Sequence, residues 1–437
     1  MTRGRARAAA LACAALLAGS LGDARPGAAA PAETAPVAPK PGAAAPRSYP
    51  VLYDARLVPT QRAAEVTIRV SNSGRELRSL RFRIDPARHR DFSGDGLLTI
   101  GPDSVEWQPP AGEARLRYVF SIDDLRDERS YDARCAQHWA LFRGDDLVPP
   151  ARVRALRGAE SQARLRLRLP EGWSAAAPYA RTSAGLYLVD HADRRFDRPV
   201  GWIVAGRRMG VVREKVAGVH VAVAGPVGQG LRRLDLLALL RWTLPELRKI
   251  LGPLPERLLV VGAGDPMWRG GLSGPGSFFI HADRPLLSND GTSPVLHELV
   301  HTALGLRGGP GGDWIVEGLA EHYSLELLER SRTLSRRRAE RVRETLAARG
   351  RGASPIEGER ATGPEMARAA SALTALDREL RTRSQGARSL DDVVRDLVAR
   401  REPLTSGRLR AAAERVNGAP LAAFFRRWLP ASSDAAN

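Results

Sequence analysis

The sequence predicts an α+β protein in which an antiparallel β domain precedes a mixed domain and a helical C-terminal region. Three patterns carry this prediction. Apolar residues alternate with polar ones at strand spacing in the first half of the chain, as in Val66, Ile68 and Val70. Near residue 230 the apolar spacing lengthens to that of a helix, and from Ser331 onward helical patterns dominate.

The N-terminus has the pattern of a bacterial secretory signal peptide. Arg3, Arg5 and Arg7 precede an apolar run that is too short to span a membrane. We expect a signal peptide at 1–24, a disordered Ala/Pro-rich linker at 25–47, and a secreted or periplasmic protein. Cys135 is then the one cysteine of the mature chain, which excludes an intramolecular disulfide.

The three predicted domains follow in order. The β domain is expected at 48–216, the mixed domain at 217–330 and the helical region at 331–437. In the mixed domain the patterns predict a helix over 231–251 and buried strands at 258–262 and 277–281. The predicted helices of the last region cover 370–380, 390–398, 406–416 and 421–428.

A glycine-rich stretch at 269–276 leads into the second of these buried strands. Glycine lets another chain approach the backbone closely, and an edge strand can bind an extended peptide through its own N–H and C=O groups. Gly271, Leu272 and Ser273 are therefore candidate substrate contacts.

The strong positive charge does not by itself indicate nucleic-acid binding. The formal net charge is +18, but lysine occurs only at Lys40, Lys215 and Lys249, and the remaining cations are arginines. This usage is typical of genomic composition bias, and no segment combines clustered charge with aromatic residues. We exclude nucleic acid as a partner and expect no transmembrane segment, while electrostatic contact with an anionic envelope surface stays open.

The most informative motif is His297-Glu298-Leu299-Val300-His301. Two histidines four positions apart on a helix lie on nearly the same face, so both imidazoles can bind one Zn²⁺ at about 2.0–2.1 Å. Glu298 then projects beside the metal, where it can take a proton from a zinc-bound water. Glu317 is the candidate for the third ligand that a catalytic zinc site needs. Glu321, one turn later, either accepts the other N–H of His297 or is a solvated carboxylate.

The surrounding residues favour a metal site over a surface helix with two unrelated histidines. Ser293-Pro294 is a good helix start, and Gly305 is a typical helix end. The glycine-rich turn at 308–312 can bring a second helix back to the first. A metal-binding helix, a tight return and an acidic helix carrying Glu317 therefore follow one another in the required order.

Several segments together resemble the gluzincin zinc metallopeptidases, and within them the glycyl aminopeptidase family, which is related to the aminopeptidase-N-like enzymes. The motif at 297–301 matches the metal helix, and Trp314 with Glu317-Gly318-Leu319-Ala320 matches the helix that carries the third ligand. Further segments that resemble the family are Leu169-Pro170-Glu171-Gly172-Trp173, Phe196-Asp197-Arg198-Pro199-Val200, Leu376-Asp377-Arg378-Glu379-Leu380-Arg381, Ser389-Leu390-Asp391-Asp392 and Phe424-Phe425-Arg426-Arg427-Trp428. The resemblance implies a thermolysin-like zincin catalytic domain, zinc, and hydrolysis of peptide bonds.

The chain departs from the family pattern at an expected oxyanion donor. Glu365 and Met366 stand where the family has a Tyr that stabilises the tetrahedral oxyanion, and no Tyr or His follows Tyr323. Loss of one such donor typically costs about 10²–10³ in rate. His322, Tyr323 or Arg368 could replace the missing group, or His322 and Tyr323 could be packing residues in a weakly active protein.

The sequence therefore predicts an exported zinc metallopeptidase that acts on a peptide or protein substrate. Ser273 stands where these families usually carry a Glu that holds a free amine, which favours peptide cleavage over strict aminopeptidase action. The alternative is a catalytically weak or inactive zincin-fold protein that binds peptides or envelope components, although Glu298 argues against it. A third alternative is an envelope adhesin that uses its basic β domain.

Overall fold

The computed structural model describes residues 47–189, 196–353, 361 and 363–429. The expected signal peptide and, apart from Arg47, the expected linker lie outside these residues. Arg47 already belongs to the first strand, so the β domain begins one residue before the predicted boundary. None of the described helices is long and apolar enough to cross a bilayer.

Strands dominate the described chain up to Gly206, with one 3-10 turn at Pro59–Gln61 and one short helix, α1, at Gly144–Leu147. The strands are β1 (Arg47–Val58), β2 (Ala63–Asn72), β3 (Leu77–Arg83), β4 (His89–Gly94), β5 (Leu97–Ile100), β6 (Ser104–Gln108), β7 (Gly112–Ser121), β8 (Asp124–Leu125), β9 (Tyr131–Cys135), β10 (Trp139–Arg143), β11 (Ala151–Ala155), β12 (Ala159–Arg168), β13 (Ser174–Ala176), β14 (Ala180–Arg181), β15 (Tyr187–Val189) and β16 (Trp202–Gly206).

These strands form three sheets, with strand orders β14-β15-β12-β1-β2-β7-β4, β11-β3-β6-β5 and β13-β16-β10-β9-β8. Pairing is antiparallel except between β1 and β12, which run parallel from Arg47↔Ala159 to Arg56↔Arg168. The alternation seen in β2 buries Val66, Ile68 and Val70 in the core between the sheets, as the period of two requires. The predicted antiparallel β domain is confirmed.

The mixed domain is built on a five-stranded sheet, here called the mixed sheet. Its strands are β17 (Met209–Val216), β18 (Val219–Pro226), β19 (Arg257–Val261), β20 (Gly271–Gly274) and β21 (Ser277–Ile280), in the order β17-β18-β19-β21-β20. The predicted helix is α2 (Arg233–Leu251), and it packs on β17 and β18. Strand β20 pairs antiparallel with β21 and forms one edge of the sheet.

The predicted boundary at residue 216 falls inside a hairpin of this sheet. Strand β17 pairs with β18 from Met209↔Pro226 to Val216↔Val219. Strand β17 therefore belongs to the mixed sheet, whereas β16 pairs with β10 and β13 in another sheet. The sequence did not indicate this, because β17 is one more strand after a series of strands, and strand spacing does not say which sheet a strand joins.

Helices account for most of the remaining described chain. They are α3 (Pro294–Leu304), α4 (Asp313–Arg330), α5 (Arg336–Gly350), α6 (Pro364–Arg383), α7 (Leu390–Arg400), α8 (Ser406–Asn417) and α9 (Ala422–Trp428). Helix α4 contacts α2, α3, α5 and α6, so it is buried on several faces. A Cβ on Gly318 would lie 2.9 Å from Cβ of Ala369 on α6, so glycine allows this close packing. The α+β class and the helical C-terminal region are confirmed.

Candidate metal centre and edge strand

Helix α3 presents two imidazoles on one face. Ser293 caps its first turn by accepting the Leu296 amide at 3.3 Å, and Pro294 is the first helical residue. Gly305 ends the helix in the left-handed conformation, with φ 59°. Between these ends His297 and His301 lie one turn apart, and their Nε2 atoms are 3.0 Å from each other.

The glycine-rich turn at 308–312 returns the chain to α3. The Gly309 amide donates to the Leu404 carbonyl at 2.7 Å, and the Leu404 amide donates to the Arg307 carbonyl at 2.8 Å. A Cβ on Gly312 would lie 1.9 Å from the Leu404 oxygen, so a side chain has no room there. Backbone hydrogen bonds to the segment before α8 thus hold the turn in place. Helix α4 follows this turn directly, and its Glu317 faces α3.

The donor atoms of His297, His301 and Glu317 converge. His297 Nε2 lies 3.2 Å from Glu317 Oε2, and His301 Nε2 lies 3.4 Å from Glu317 Oε1. Ligands placed 2.0–2.1 Å from a tetrahedral ion lie about 3.3 Å from one another. The observed separations fit one Zn²⁺, and two imidazoles with one carboxylate leave a fourth position for solvent or substrate. Within the described ranges this is the one group of three such residues with converging ligand atoms.

Glu321 contacts the far side of the first imidazole. His297 Nδ1 lies 3.1 Å from Glu321 Oε2, and the Glu321 side chain is only 7% exposed, so it is not a solvated carboxylate. The Glu321 carboxylate accepts the Nδ1–H, so when a cation takes the place of the Nε2 proton this contact keeps the remaining proton on Nδ1 and leaves the Nε2 lone pair for the cation. That lone pair faces the Glu317 carboxylate, an arrangement that a shared cation makes favourable. Both contacts fit a metal-ligating His297.

The carboxylates of Glu317 and Glu321, both on α4, stabilise positive charge on and around the His297 imidazole. Burial lowers the pKa of His297, but hydrogen bonds to Glu317 and Glu321 outweigh it and raise the pKa to about 10. Burial raises the pKa of Glu317, and hydrogen bonds to His297 and His301 outweigh it and lower the pKa to about 2. A divalent cation is the kind of charge that such a cluster accommodates.

Glu298 lies between α3 and the edge strand β20. In the antiparallel pairing of β20 with β21, the backbone N–H and C=O groups of Leu272 face β21. Those of Gly271 and Ser273 point away from the sheet. The Ser273 amide donates a hydrogen bond to the Glu298 carboxylate. A Cβ on Gly271 would lie 2.5 Å from Glu298 Cγ, so glycine is required for this approach. Burial raises the pKa of Glu298, while the neighbouring imidazoles and the Ser273 amide act in the opposite direction.

No family model and no curated protein sequence matches the chain, but solved structures do. An aminopeptidase N family protein from Idiomarina loihiensis superposes with a TM-score of 0.66 at 13% identity, covering 87% of this chain and 76% of that one. The fold is that of the M1 zinc metallopeptidases.

Two structures of one M1 zinc metallopeptidase from Deinococcus radiodurans have the same fold. A glutamate-to-alanine mutant bound to a Tyr-Ser-Ala substrate gives a TM-score of 0.59 at 18% identity, covering 88% of this chain and 93% of that one. A second structure of that mutant gives 0.60 at 19% identity, covering 88% and 94%. At such low identities the comparison establishes the M1 fold but not the activity. The activity has to be inferred from the residues of the site.

The M1 fold brings Arg143, which the sequence did not mark, to the edge strand. Its Nη1 donates to the Ser273 carbonyl at 3.3 Å, and its Nη2 lies 3.4 Å from Asp145 Oδ2. Its guanidinium lies 5.6 Å from the Trp202 ring, whose Nε1 donates to the Leu272 carbonyl at 2.9 Å. The Arg143 side chain is 30% exposed, so a positive charge borders the strand. No motif could reveal this contact, because 130 positions separate Arg143 from Ser273.

In the M1 fold, His322 and Tyr323 lie away from the metal-facing side of α4. By helical geometry they lie about 120° and 140° from the mean direction of the two cluster carboxylates. Tyr323 is 1% exposed and its hydroxyl donates to Asp391 at 3.1 Å. His322 is buried, with Nδ1 3.0 Å from Thr374 Oγ1. The suggestion that either residue contacts the transition state is wrong, because both side chains pack inside the helical region.

Arg368 does not supply the missing oxyanion donor either. Its Nη1 donates to the Ala353 carbonyl at 3.3 Å, and a Cβ on Gly350 would meet its backbone at 2.7 Å. This places Arg368 against the end of α5. Glu365 and Met366 lie in the first turn of α6, where the resemblance implies a Tyr. That turn therefore offers no phenol.

Proposed function

We propose that the protein is an exported, zinc-dependent metallopeptidase of the gluzincin type that hydrolyses peptide bonds. The observation that carries the proposal is the spacing of the donor atoms of His297, His301 and Glu317, which suits one tetrahedral ion. Glu298 beside these ligands and the shared M1 fold support it further.

Each residue around the proposed metal centre has a separate chemical role. Zinc held by the three ligands would polarise the scissile carbonyl and make a water more acidic. Glu298 takes a proton from the attacking water and transfers it to the leaving amine. Gly271 leaves its outward N–H and C=O open to the backbone of an extended substrate, directly beside the Glu298 carboxylate. Glu321 holds the imidazole of His297 in the orientation that ligation needs.

The substrate is proposed to be an extended peptide that needs no free amine near Ser273. The tripeptide bound by the Deinococcus enzyme supports peptides as the substrate class. Ser273 carries no charge, and the Arg143 guanidinium beside it disfavours an ammonium group at the end of β20. Cleavage of peptides with blocked N-termini follows from this charge.

The proposal is tested with the wild type, Glu298→Gln and His301→Ala. Glu298→Gln keeps the side-chain shape but removes the base, so zinc content should stay constant while hydrolysis of a quenched peptide library falls by about 10²–10⁴-fold. His301→Ala should lose both zinc and hydrolysis. A zinc-loaded wild type whose peptide cleavage is absent, or is unaffected by Glu298→Gln, would contradict the proposed function.

The second candidate is a weak or inactive zincin-fold protein that binds peptides or envelope components. The absence of a phenol at 365 and 366 favours it, whereas Glu298 opposes it, because a non-catalytic zinc site needs no general base. Zinc retention and peptide binding without Glu298-dependent cleavage would assign this role. An adhesin would instead show salt-dependent surface binding that survives His301→Ala.

Export is proposed from residues 1–24, which lie outside the described part of the chain. The basic start and short apolar run support it. Cell fractionation followed by N-terminal sequencing tests it. A cytoplasmic protein that keeps Arg3, Arg5 and Arg7 would contradict export.

A further inference from the structure

A cavity of about 390 Å³ lies between the mixed sheet and the segment that runs from Ala175 to Tyr187. It shares no lining residue with the metal centre. Five of its lining residues have basic side chains, namely Arg181, Arg213, Lys215, His220 and Arg257. This cavity is called the basic pocket below.

The strand register gathers these basic groups on one face of the mixed sheet. Lys215 on β17 stands directly opposite His220 on β18, and His220 stands beside Arg257 on β19. Neighbouring strands lie about 4.8 Å apart, so the three side chains form a row across the sheet. Arg213 lies two positions before Lys215 and therefore points to the same face.

Among the described residues, Arg257 is the one member of this row whose side chain meets a carboxylate, that of Glu256. Glu214 is the one acidic residue that lines the pocket among the described residues, and its carboxylate is held by Arg241 of α2 at 2.9 and 2.5 Å. The side chains of Arg213, Lys215 and His220 make no hydrogen bond or ion pair within the described ranges. Arg213 and Lys215 are cations on the same face of one strand, so a bound anion would reduce the repulsion between them.

The facing wall adds another cation and an apolar surface. Arg181 donates to the Gly185 carbonyl at 3.2 Å, and its guanidinium lies 5.5 Å from the Tyr187 ring. Neither contact involves a carboxylate, and no carboxylate of the described chain pairs with Arg181. The rest of this wall is formed by residues 175–179. Arg257 meets only the largely exposed Glu256, at 3.4 Å. The pocket therefore combines cations on both walls with a small apolar surface.

We propose that the basic pocket binds the phosphate group of a phosphoester, either a soluble phosphorylated compound or a phospholipid headgroup. Arginine forks bind phosphate oxygens in pairs, and Lys215 adds a point charge. The volume exceeds that of a bare phosphate ion, so the organic part of the ligand has room against residues 175–179. The proposal is independent of peptide hydrolysis, and Glu298→Gln should leave phosphate binding unchanged.

The test compares the wild type, the double variant Arg213→Gln/Lys215→Gln, and a control that loses the same charge from α9, Arg426→Gln/Arg427→Gln. Calorimetric titration with inorganic phosphate and with glycerol 3-phosphate should show saturable binding to the wild type and the control. Loss of two charged partners should raise the dissociation constant of the pocket variant about 10–100-fold. Thermal unfolding checks that all three proteins are folded.

Binding to vesicles distinguishes a phospholipid headgroup from a soluble phosphorylated compound as the ligand. A lipid headgroup would be the ligand if the wild type co-floats with phosphatidylcholine vesicles that contain phosphatidic acid, but not with vesicles of phosphatidylcholine alone. The pocket variant should then no longer co-float with either kind of vesicle. Tight glycerol 3-phosphate binding without co-flotation would assign a soluble ligand. Failure of every phosphate probe to saturate, equal losses in the pocket and control variants, or tighter binding of citrate than of phosphate would overturn the proposal.

Discussion

An alanine at position 271 would bring its Cβ within 2.5 Å of Glu298 Cγ and 2.9 Å of Glu298 Oε1. Carbon atoms in contact normally lie about 3.5–4.0 Å apart, so the carboxylate or the strand must move by about 1 Å. A misplacement of about 1 Å at a catalytic group can cost on the order of 10²-fold in rate. We expect Gly271→Ala to lower kcat/KM by about 10²-fold with no loss of zinc, because the three ligands are untouched.

Gly274→Ala is the matched control on the same strand. Its Cβ would meet its nearest atoms at 3.5 Å, which is ordinary van der Waals contact, so activity should stay within about twofold of the wild type. The assay is hydrolysis of a quenched peptide, with zinc measured per molecule and thermal unfolding recorded for both variants. Overpacking typically costs about 1–3 kcal/mol, so Gly271→Ala should remain folded. Equal activity of the two variants would refute the claim that β20 positions Glu298.

Three further predictions concern the surrounding residues. Glu321→Gln should weaken zinc binding about 10–100-fold in a chelator competition, whereas Glu344→Gln, on the exposed face of α5, should not. Arg143→Gln should lower the kcat/KM ratio of N-blocked to free-amine peptides by about fivefold, and an unchanged ratio would remove Arg143 from substrate selection. Tyr323→Phe should cost about 1–2 kcal/mol in urea unfolding, because Asp391 loses one donor, with kcat unchanged. A fall of about 10²-fold in its kcat would instead make Tyr323 an oxyanion donor.

The metal ligands could be proposed from the sequence because they depend on short-range geometry. His297 and His301 are one helical turn apart, and Glu317 follows on the next helix after a glycine-rich return. Gly271 and Ser273 could be proposed for a similar reason, since a glycine-rich stretch leads directly into a buried strand. Patterns of this kind follow from local backbone preferences, which do not depend on where the segment packs in the folded protein.

The orientation of neighbouring side chains could not be predicted in the same way. His322 and Tyr323 lie close to Glu321 in sequence, yet their partners are Thr374 and Asp391 on other helices. Their direction depends on which faces of α4 pack against α6 and α7, and the apolar pattern of α4 covers several faces. A helix buried on several faces gives no single periodic stripe from which its neighbours can be inferred.

The amino-acid sequence alone indicated the α+β class, the capped helix α3 and the three residues proposed as metal ligands. Tertiary structure alone decided that β17 joins the mixed sheet, that Leu404 holds the return turn, that Arg143 reaches the edge strand and that cations gather in the basic pocket. The physical reason is the range of the interactions. Helix periodicity and capping act within a few residues, whereas these contacts join residues that meet only after sheets and helices have packed.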